Sequence, residues 1–429
     1  MTLVFQQLIE EAIRELTRRD PDYFSRIDLH TSQVAHVIDQ VQGIGLFDGY
    51  SAEELAAAMD QGILLLAGSG ANVSGSASSD PISHVLLRGL LDCFAAKEGH
   101  LGIRPPPQAP PSCEDILASR FRERLVEGSI RYFVKSSGRE RVLLISSTGI
   151  PLGIWSLLLG DESLDAQILV VQGLHEDLVQ GGISACSSVY EDARRIEVAL
   201  AHAGVCEIHV LSWCNGSRLA LELAARKPSI VKSIVLLSPT FHGVLQANRY
   251  PSPFEDTLAE LHSLLKASPE IAGYIEELLR GQLAPFDAAK LGRHEDRARA
   301  LLSLPPKEFL SDLAVPLSTL PQFVNYMEKL ADDERYPVKE AIGKVACPMM
   351  MITGNYDRAI NVDAARFVID SYADDVIHAQ VDGAGHYIQA LQYPYFAYLL
   401  DCFIRGRTPE STARITVERL GRRSSARAA

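Results

Sequence analysis

The sequence lacks an apolar run long enough to cross a membrane, and it lacks the cysteine spacing of a zinc site. Its seven cysteines form no C-x-x-C pair and no cluster with histidine. Residues 1–19 are amphipathic and do not follow the charged, apolar, small order of a signal peptide. We therefore expect a cytoplasmic protein with reduced thiols, no metal ion, no cofactor and no membrane partner.

Basic charge is also scarce, since 41 Lys and Arg stand against 54 Asp and Glu, a net charge of −13. This balance argues against a nucleic-acid partner, which requires a basic face. Arginine is concentrated at the end, with seven Arg and two Glu from Arg405 onward. Because this tail has no periodicity, we predict that residues 406–429 are disordered. Docking of an acidic carrier protein or a phosphate-bearing substrate is the open alternative for this tail.

The first hundred residues differ in pattern from the rest of the chain. Apolar residues recur at helical spacing, which predicts an N-terminal helical domain over residues 1–103. Dimerisation, capping and docking all remain open as its role, and so does the oligomeric state. The Pro-rich stretch that follows predicts a stiff linker over residues 104–113.

Short apolar runs rich in β-branched residues then alternate with helical patterns, which predicts an α/β fold with a mostly parallel sheet and helices on both faces. The predicted strands are 129–135, 141–146, 167–171, 208–211, 234–237, 349–352 and 376–381, and the predicted helices between them are 190–203, 218–226 and 362–372. The alternation stops for about a hundred residues. We therefore divide this part into a core of residues 114–239 and 344–405 and a helical lid of residues 240–343.

The segment from Ser212 to Gly216 is the most informative stretch of the chain. It reads small-x-Cys-x-Gly and joins a predicted strand to a predicted helix. Small residues two positions on either side of Cys214 allow the sharp turn of a nucleophile elbow. The N-terminus of the following helix favours a thiolate at that position. We predict that Cys214 is a nucleophile.

A nucleophile requires a base, an acid that orients the base, and donors for the oxyanion. His386 lies in a Gly-rich turn after a predicted strand and is the candidate base, and Asp357 follows another strand and is the candidate acid. The nearby carboxylates of Asp363 and Asp382 are expected to be solvated. The chain order Cys, Asp, His is that of the nucleophile-elbow fold. The predicted oxyanion donors are the backbone N–H groups of Asn215 and Ile150.

Residues from about 128 to 404 resemble the α/β-hydrolase superfamily in four places: the elbow, the helix and strand ending AARKPSIVKSIVLLSP, the G-x-x-D turn before Asp357 and the G-x-G-H turn at His386. The sequence departs from the family pattern at three positions. Cys214 replaces serine, Ser212 replaces the first elbow glycine, and Thr148 replaces the histidine before the oxyanion loop. An elbow cysteine resembles those of dienelactone hydrolases, polyhydroxyalkanoate synthases and some thioesterase domains.

This resemblance implies that a Cys-His-Asp triad processes an ester or thioester through an acyl-cysteine intermediate, as a thioesterase or acyltransferase. The substrate could be presented by coenzyme A or by a carrier protein. Thr148, Gly149, Trp213, His175 and His242 are the further candidates for pocket residues. Two alternatives remain open, namely a lyase that uses His386 as a base for elimination and a non-catalytic binding protein of hydrolase ancestry.

Overall fold

The computed structural model describes residues 112–421, apart from 128–129, 136, 173–181, 184–186, 245–252, 276, 278–308, 356, 382–383 and 413–414. The predicted domain of residues 1–103 and all but the end of the predicted linker lie outside the described residues. Cys113, predicted to be the last linker residue, instead begins helix α1, Cys113–Arg120. The Ser112 side chain accepts a hydrogen bond from the Asp115 N–H, and this cap fixes where the helix starts.

In the part of the chain that the structure describes, one sheet of nine strands forms the centre, in the order β1-β2-β4-β3-β5-β6-β7-β8-β9. The strands are β1 Phe121–Val126, β2 Ile130–Lys135, β3 Glu140–Ile145, β4 Ala166–Gln172, β5 Ile208–Trp213, β6 Val231–Leu237, β7 Met349–Gly354, β8 Val376–Val381 and β9 Ile415–Leu420. Neighbours from β4 through β8 pair in parallel, whereas β1, β2 and β9 pair antiparallel at the two margins. The predicted α/β class with a mostly parallel sheet is confirmed.

Helices cover both faces of this sheet. Those of the core are α2 Ser156–Gly160, α3 Val189–His202, α4 Gly216–Arg226, α9 Val362–Tyr372, α10 Ile388–Leu391 and α11 Tyr393–Ile404. Those between β6 and β7 are α5 Pro253–Ala267, α6 Leu310–Leu313, α7 Leu320–Glu334 and α8 Val338–Ile342. No helix among the described residues is both long and apolar enough to cross a bilayer.

Alternation along the central strands produces two apolar cores, one on each face of the sheet. One core contains Val142, Leu144, Leu211, Val235 and Leu237, and the other contains Leu143, Val210, Ile234 and Leu236. Because both faces are buried, these strands read in the sequence as continuous apolar runs. The sheet is therefore a rigid support, and the loops at the carboxyl ends of its parallel strands hold the candidate site.

The prediction that residues 406–429 are disordered is wrong for residues 415–420, which form β9 against β8. Ile415 and Leu420 are buried at the two ends of this strand, and the Glu418 side chain accepts from Arg366 on α9 at 2.8 Å. Short strands with charged outer residues have no clear periodicity of their own, so pairing with β8 supplies the order. The last eight residues, 422–429, lie outside the described part.

The segment between β6 and β7 is mostly helical where the structure describes it, and we call it the insertion. Its helices α5 and α7 share a small apolar core. The buried members of this core include Leu261, Leu265, Phe323 and Met327. Helix α7 also contacts the elbow of the core, because its Asp333 accepts a hydrogen bond from Asn215.

Candidate active site

Cys214 lies at the turn between β5 and α4 and is half-buried. Its backbone φ is +54°, in the left-handed region that residues other than glycine seldom adopt. Gly216 is required here, because a Cβ at this position would lie 2.6 Å from the carbonyl oxygen of Ser146. The helix can thus pack closely against the end of β3. Such a strained turn at a strand end is where proteins hold reactive groups.

Hydrogen bonds hold the elbow on both sides of Cys214. Its N–H donates to the Leu237 carbonyl at 3.0 Å, which ties the turn to β6. Its carbonyl accepts from the hydroxyl of Ser217 at 2.7 Å. Ser212, which stands where the family has glycine, is fully buried and donates its hydroxyl to the Val235 carbonyl at 3.3 Å. The serine therefore fits within the sheet and leaves the turn intact.

Asp357 and His386 come together beside this elbow. The His386 Nδ1 lies 2.8 Å from the Asp357 Oδ2, and both side chains are almost fully buried. The other carboxylate oxygen of Asp357 accepts the N–H groups of Ala359 at 2.9 Å and Ile360 at 3.1 Å. Cys214 is close enough to His386 to raise the pKa of its ring. The structure thus brings together the three residues that the sequence singled out.

The electrostatics of His386 favour the imidazolium form. Burial alone would lower its pKa, but the charge of Asp357, the neighbouring Cys214 and the hydrogen bond to Asp357 outweigh burial and raise the pKa to about 10. The arrangement therefore places a base beside the Cys214 sulfur that can also deliver a proton to a leaving group.

Trp213, predicted to be a pocket wall, packs against His386. Its side chain is only 2% exposed, and its indole N–H donates to the His386 carbonyl at 3.2 Å. The ring centroids of Trp213 and His386 are 5.2 Å apart, and Tyr387 packs against both rings. The aromatic contacts restrict the histidine to one position in the turn.

The predicted oxyanion loop after β3 is tightly bonded. The N–H of Ile150 donates to the Ser147 carbonyl at 3.2 Å, and the N–H of Thr148 donates to the Asn215 side-chain oxygen at 3.1 Å. Gly149 has a φ of +74° and closes the turn. The Ile150 N–H is thus engaged within the turn, and it could serve an oxyanion only if this bond opened. The roles of Ile150 and of the Asn215 N–H stay predictions.

A charged cluster that the sequence did not reveal lies next to Asn215. The Asn215 side-chain nitrogen donates to Asp333 of helix α7 at 3.4 Å. Lys329, one turn earlier, lies 2.7 Å from Asp333 and 3.1 Å from Asp192 of helix α3. Burial disfavours the charge on Lys329, but the two carboxylates outweigh it and raise the Lys329 pKa. The insertion therefore contacts the residue that follows the nucleophile.

Comparison of the sequence with models of known protein families identifies the family of this chain. The family model described as alpha/beta hydrolase fold matches residues 177–392, half of the chain. The chain belongs to the alpha/beta hydrolase fold family. No curated protein matches this α/β hydrolase in sequence.

Solved structures of other proteins resemble this α/β hydrolase at low identity. Cfl2 from Burkholderia cenocepacia is 18% identical, with a TM-score of 0.48 over 66% of this chain and 95% of its own. The hydrolase olei00960 from Oleispira antarctica is 14% identical, with a TM-score of 0.49 over 70% and 99%. Naproxen esterase from Bacillus subtilis is 15% identical, with a TM-score of 0.46 over 74% and 98%. Likenesses this distant carry no argument about the reaction.

The remaining candidates of this α/β hydrolase lie elsewhere or outside the described residues. His242 pairs its Nδ1 with Glu334 of helix α7 at 2.9 Å, so its place is at the junction of the core and the insertion. Asp363 is exposed at the start of α9, as expected for a solvated carboxylate. His175 and Asp382 lie outside the described residues.

Proposed function

We propose that this α/β hydrolase is a cysteine-dependent acyl enzyme, a thioesterase or an acyltransferase, that acts through Cys214, His386 and Asp357. The observation that supports this proposal best is the position of His386, which is paired with Asp357 at 2.8 Å and has its pKa raised by the neighbouring Cys214. An inert core cysteine has no reason to adopt a left-handed backbone and share a buried histidine with a carboxylate. The family and the fold support hydrolytic chemistry of this general class.

In the first half-reaction the Cys214 sulfur attacks the carbonyl carbon of an ester or thioester and forms a carbon–sulfur bond. The carbonyl electrons move to oxygen, where backbone N–H groups of the elbow and the loop after β3 would hold the oxyanion. When the tetrahedral intermediate collapses, the bond to the leaving alcohol or thiol breaks. His386 gives its proton to that group, and Asp357 keeps the imidazole in position.

In the second half-reaction the acceptor loses its proton to His386 and attacks the acyl-cysteine. The carbon–sulfur bond breaks, and the thiolate returns beside the protonated histidine. Because the intermediate is itself a thioester, it can pass its acyl group to an alcohol, an amine or a thiol as well as to water. The helical insertion would act as a lid that selects the acyl chain, and coenzyme A or a carrier protein would present it.

A test of this proposal is intact-protein mass spectrometry after exposure to a panel of acyl thioesters and aryl esters. We expect a mass increase equal to the acyl group, located at Cys214 by peptide mapping. Cys214→Ala should show no adduct and a loss of turnover of at least about 1,000-fold. Turnover without an adduct would favour elimination with His386 as the base. No turnover and an unreactive thiol would favour a binding protein.

Cys402 offers a matched control, because it is a buried cysteine on helix α11 whose side chain is paired with Tyr398. Cys402→Ala should keep the adduct and the turnover. Cys214→Ser provides the second control, because a hydroxyl is a weaker nucleophile than a thiol at neutral pH. If Cys214→Ser matched the wild type with thioesters, a specific need for cysteine would be refuted.

A further inference from the structure

The side chain of Asn215 connects two parts of the site that are distant in sequence. Its oxygen accepts the Ser147 hydroxyl at 2.9 Å and the Thr148 N–H at 3.1 Å. Its nitrogen donates to the Asp333 carboxylate at 3.4 Å. A carboxamide has one accepting end and one donating end, and a carboxylate can only accept. Asp333 on one side and the Thr148 N–H on the other therefore both require the Asn215 oxygen to face the loop after β3.

Asp333 is itself held in place by buried charges. Lys329 lies between it and Asp192, and the exposed fractions of these three side chains are 7%, 5% and 18%. Asp192 in turn accepts from the Ser187 hydroxyl at 2.7 Å and from Arg195 at 2.9 Å. Each buried charge in this cluster has an opposite charge within 3.1 Å. A network that is fully paired and screened from water restricts its members to one geometry.

We propose that Asp333 is a positioning residue for acylation of Cys214. It orients the Asn215 carboxamide, and through Asn215 it fixes the loop at Ser147 and Thr148 where the oxyanion of the proposed reaction would form. The insertion then has a role beyond covering the substrate, because one of its helices completes the machinery of the core. This role rests on the proposed function, but the contact on which it depends can be tested without any activity.

The expected effect follows from the geometry that catalysis requires. Stabilisation of an oxyanion depends on hydrogen-bond donors that are held in position before the reaction. A displacement of such a group by about 1 Å can lower the rate about 100-fold. Without the carboxylate, the Asn215 carboxamide can rotate and the Thr148 N–H loses its acceptor. We expect Asp333→Asn to slow acylation of Cys214 by about 10- to 100-fold. Alkylation by iodoacetamide forms no oxyanion, so its rate should stay within about 2-fold of the wild type.

The test compares these two reactions of the same thiol in the full chain. Acylation by p-nitrophenyl butyrate and alkylation by iodoacetamide are followed by intact mass at one pH. Asp332→Asn is the matched control, because Asp332 is the neighbouring carboxylate and pairs with the exposed Arg335. A selective loss of acylation in Asp333→Asn supports the proposal. Equal losses in both reactions, or no loss in either, would overturn it.

Folding defects are controlled by a second variant that removes the charges together. The double variant Lys329→Met/Asp333→Leu has a side-chain volume near that of the native pair and leaves no unpaired lysine. Replacement of both partners by apolar residues of similar volume is the change that a buried ion pair tolerates best. Asp192 would retain Ser187 and Arg195. This variant should show the same selective loss of acylation with a cooperative unfolding transition. A folded double variant with wild-type acylation would also overturn the proposal.

Hydrogen exchange keeps the proposal testable if wild-type Cys214 accepts no acyl group. The peptide that contains Thr148 should exchange at least about 10-fold faster in Asp333→Asn, because its N–H depends on the oriented Asn215 oxygen. Unchanged exchange would show that Asp333 does not orient Asn215. A wild type that is alkylated and never acylated would instead refute the proposed function, so the two failures are distinguishable.

Discussion

Two buried histidines of this molecule each have a carboxylate as their first partner, yet their pKa values shift in opposite directions. His386 Nδ1 lies 2.8 Å from Asp357, and His378 Nδ1 lies 2.8 Å from Glu418. Yet the pKa of His386 is raised to about 10, whereas that of His378 is lowered. A carboxylate at hydrogen-bond distance is thus insufficient to decide the charge of a buried imidazole.

The difference lies in the second neighbour of each ring. Burial lowers the pKa of both, but Cys214 is a further neighbour that raises the pKa of His386. The other nitrogen of His378 lies 2.8 Å from the neutral Thr353 hydroxyl, and Arg366 adds a repelling charge. One ring is therefore prepared to carry a proton, and the other works as a neutral link between strands β7, β8 and β9.

Removal of the acid should have the largest effect. Asp357→Asn takes away the charge that raises the His386 pKa and weakens control of the ring, so turnover should fall by about 100- to 10,000-fold. Alkylation of Cys214 at pH 7 should also slow, because less imidazolium is present to pair with a thiolate. Steady-state kinetics and iodoacetamide labelling measure the two effects.

Asp363→Asn is the matched control for the acid, because Asp363 is a nearby exposed carboxylate. It should leave both rates within about 2-fold of wild type, as is usual for exposed substitutions. Asp363 would replace Asp357 as the acid if the two variants showed the reverse order.

The two histidines should also give opposite dependences of stability on pH. Because the pKa of His386 is raised in the folded state, its contribution to the free energy of unfolding is complete below the unfolded-state pKa of about 6.5. This contribution is lost as the pH rises towards 10. Because the folded pKa of His378 is lowered, its contribution is present above about pH 6.5 and is lost on acidification. Each pKa unit corresponds to about 1.4 kcal/mol.

Urea unfolding of His386→Gln and His378→Gln between pH 5 and 10 measures this contrast. The loss of unfolding free energy in His386→Gln relative to wild type should become smaller as the pH rises. The corresponding loss in His378→Gln should become smaller as the pH falls. Parallel deficits at all pH values would show that the two rings have the same charge. NMR titration of the ring protons in Cys214→Ala would sharpen the result, because the His386 pKa should fall there.

The smallest effect is expected when the carboxylate of Glu418, the partner of His378, is removed. Glu418→Gln removes the charge near His378 and Arg366 but keeps a hydrogen-bond acceptor, so stability should fall by about 1 kcal/mol. Turnover should not change. A loss of turnover would mean that strand β9 acts on the Asp357 turn through Thr353.

The parts of the molecule that the sequence predicted are those whose signal is local. Strands β3 to β8 are buried on both faces and are recognisable as apolar runs, and the triad lies at strand ends that known motifs mark. Strand β1 was missed because three of the six residues of FRERLV are charged and four are exposed. Strand β9 was missed for a similar reason.

The contact between Asn215 and Asp333 was beyond sequence reasoning for a different reason. The two residues are 118 positions apart, and their contact depends on how the insertion packs on the core. Lys329 and Asp333 at i, i+4 also have the spacing of an ordinary solvent-exposed ion pair on a helix. Only the fold shows that this pair is buried and faces the elbow.

The antiparallel strands at the two margins protect the sheet from association with other molecules. A parallel sheet that ended at β8 would present unpaired backbone groups on an apolar strand, which is a template for intermolecular pairing. Strand β9 covers that edge and exposes Arg419 in its place, and β1 covers the opposite margin with the exposed Arg122 and Arg124. Charged outer strands of this kind resist aggregation, so the marginal segments contribute to the solution behaviour of the protein as well as to its fold.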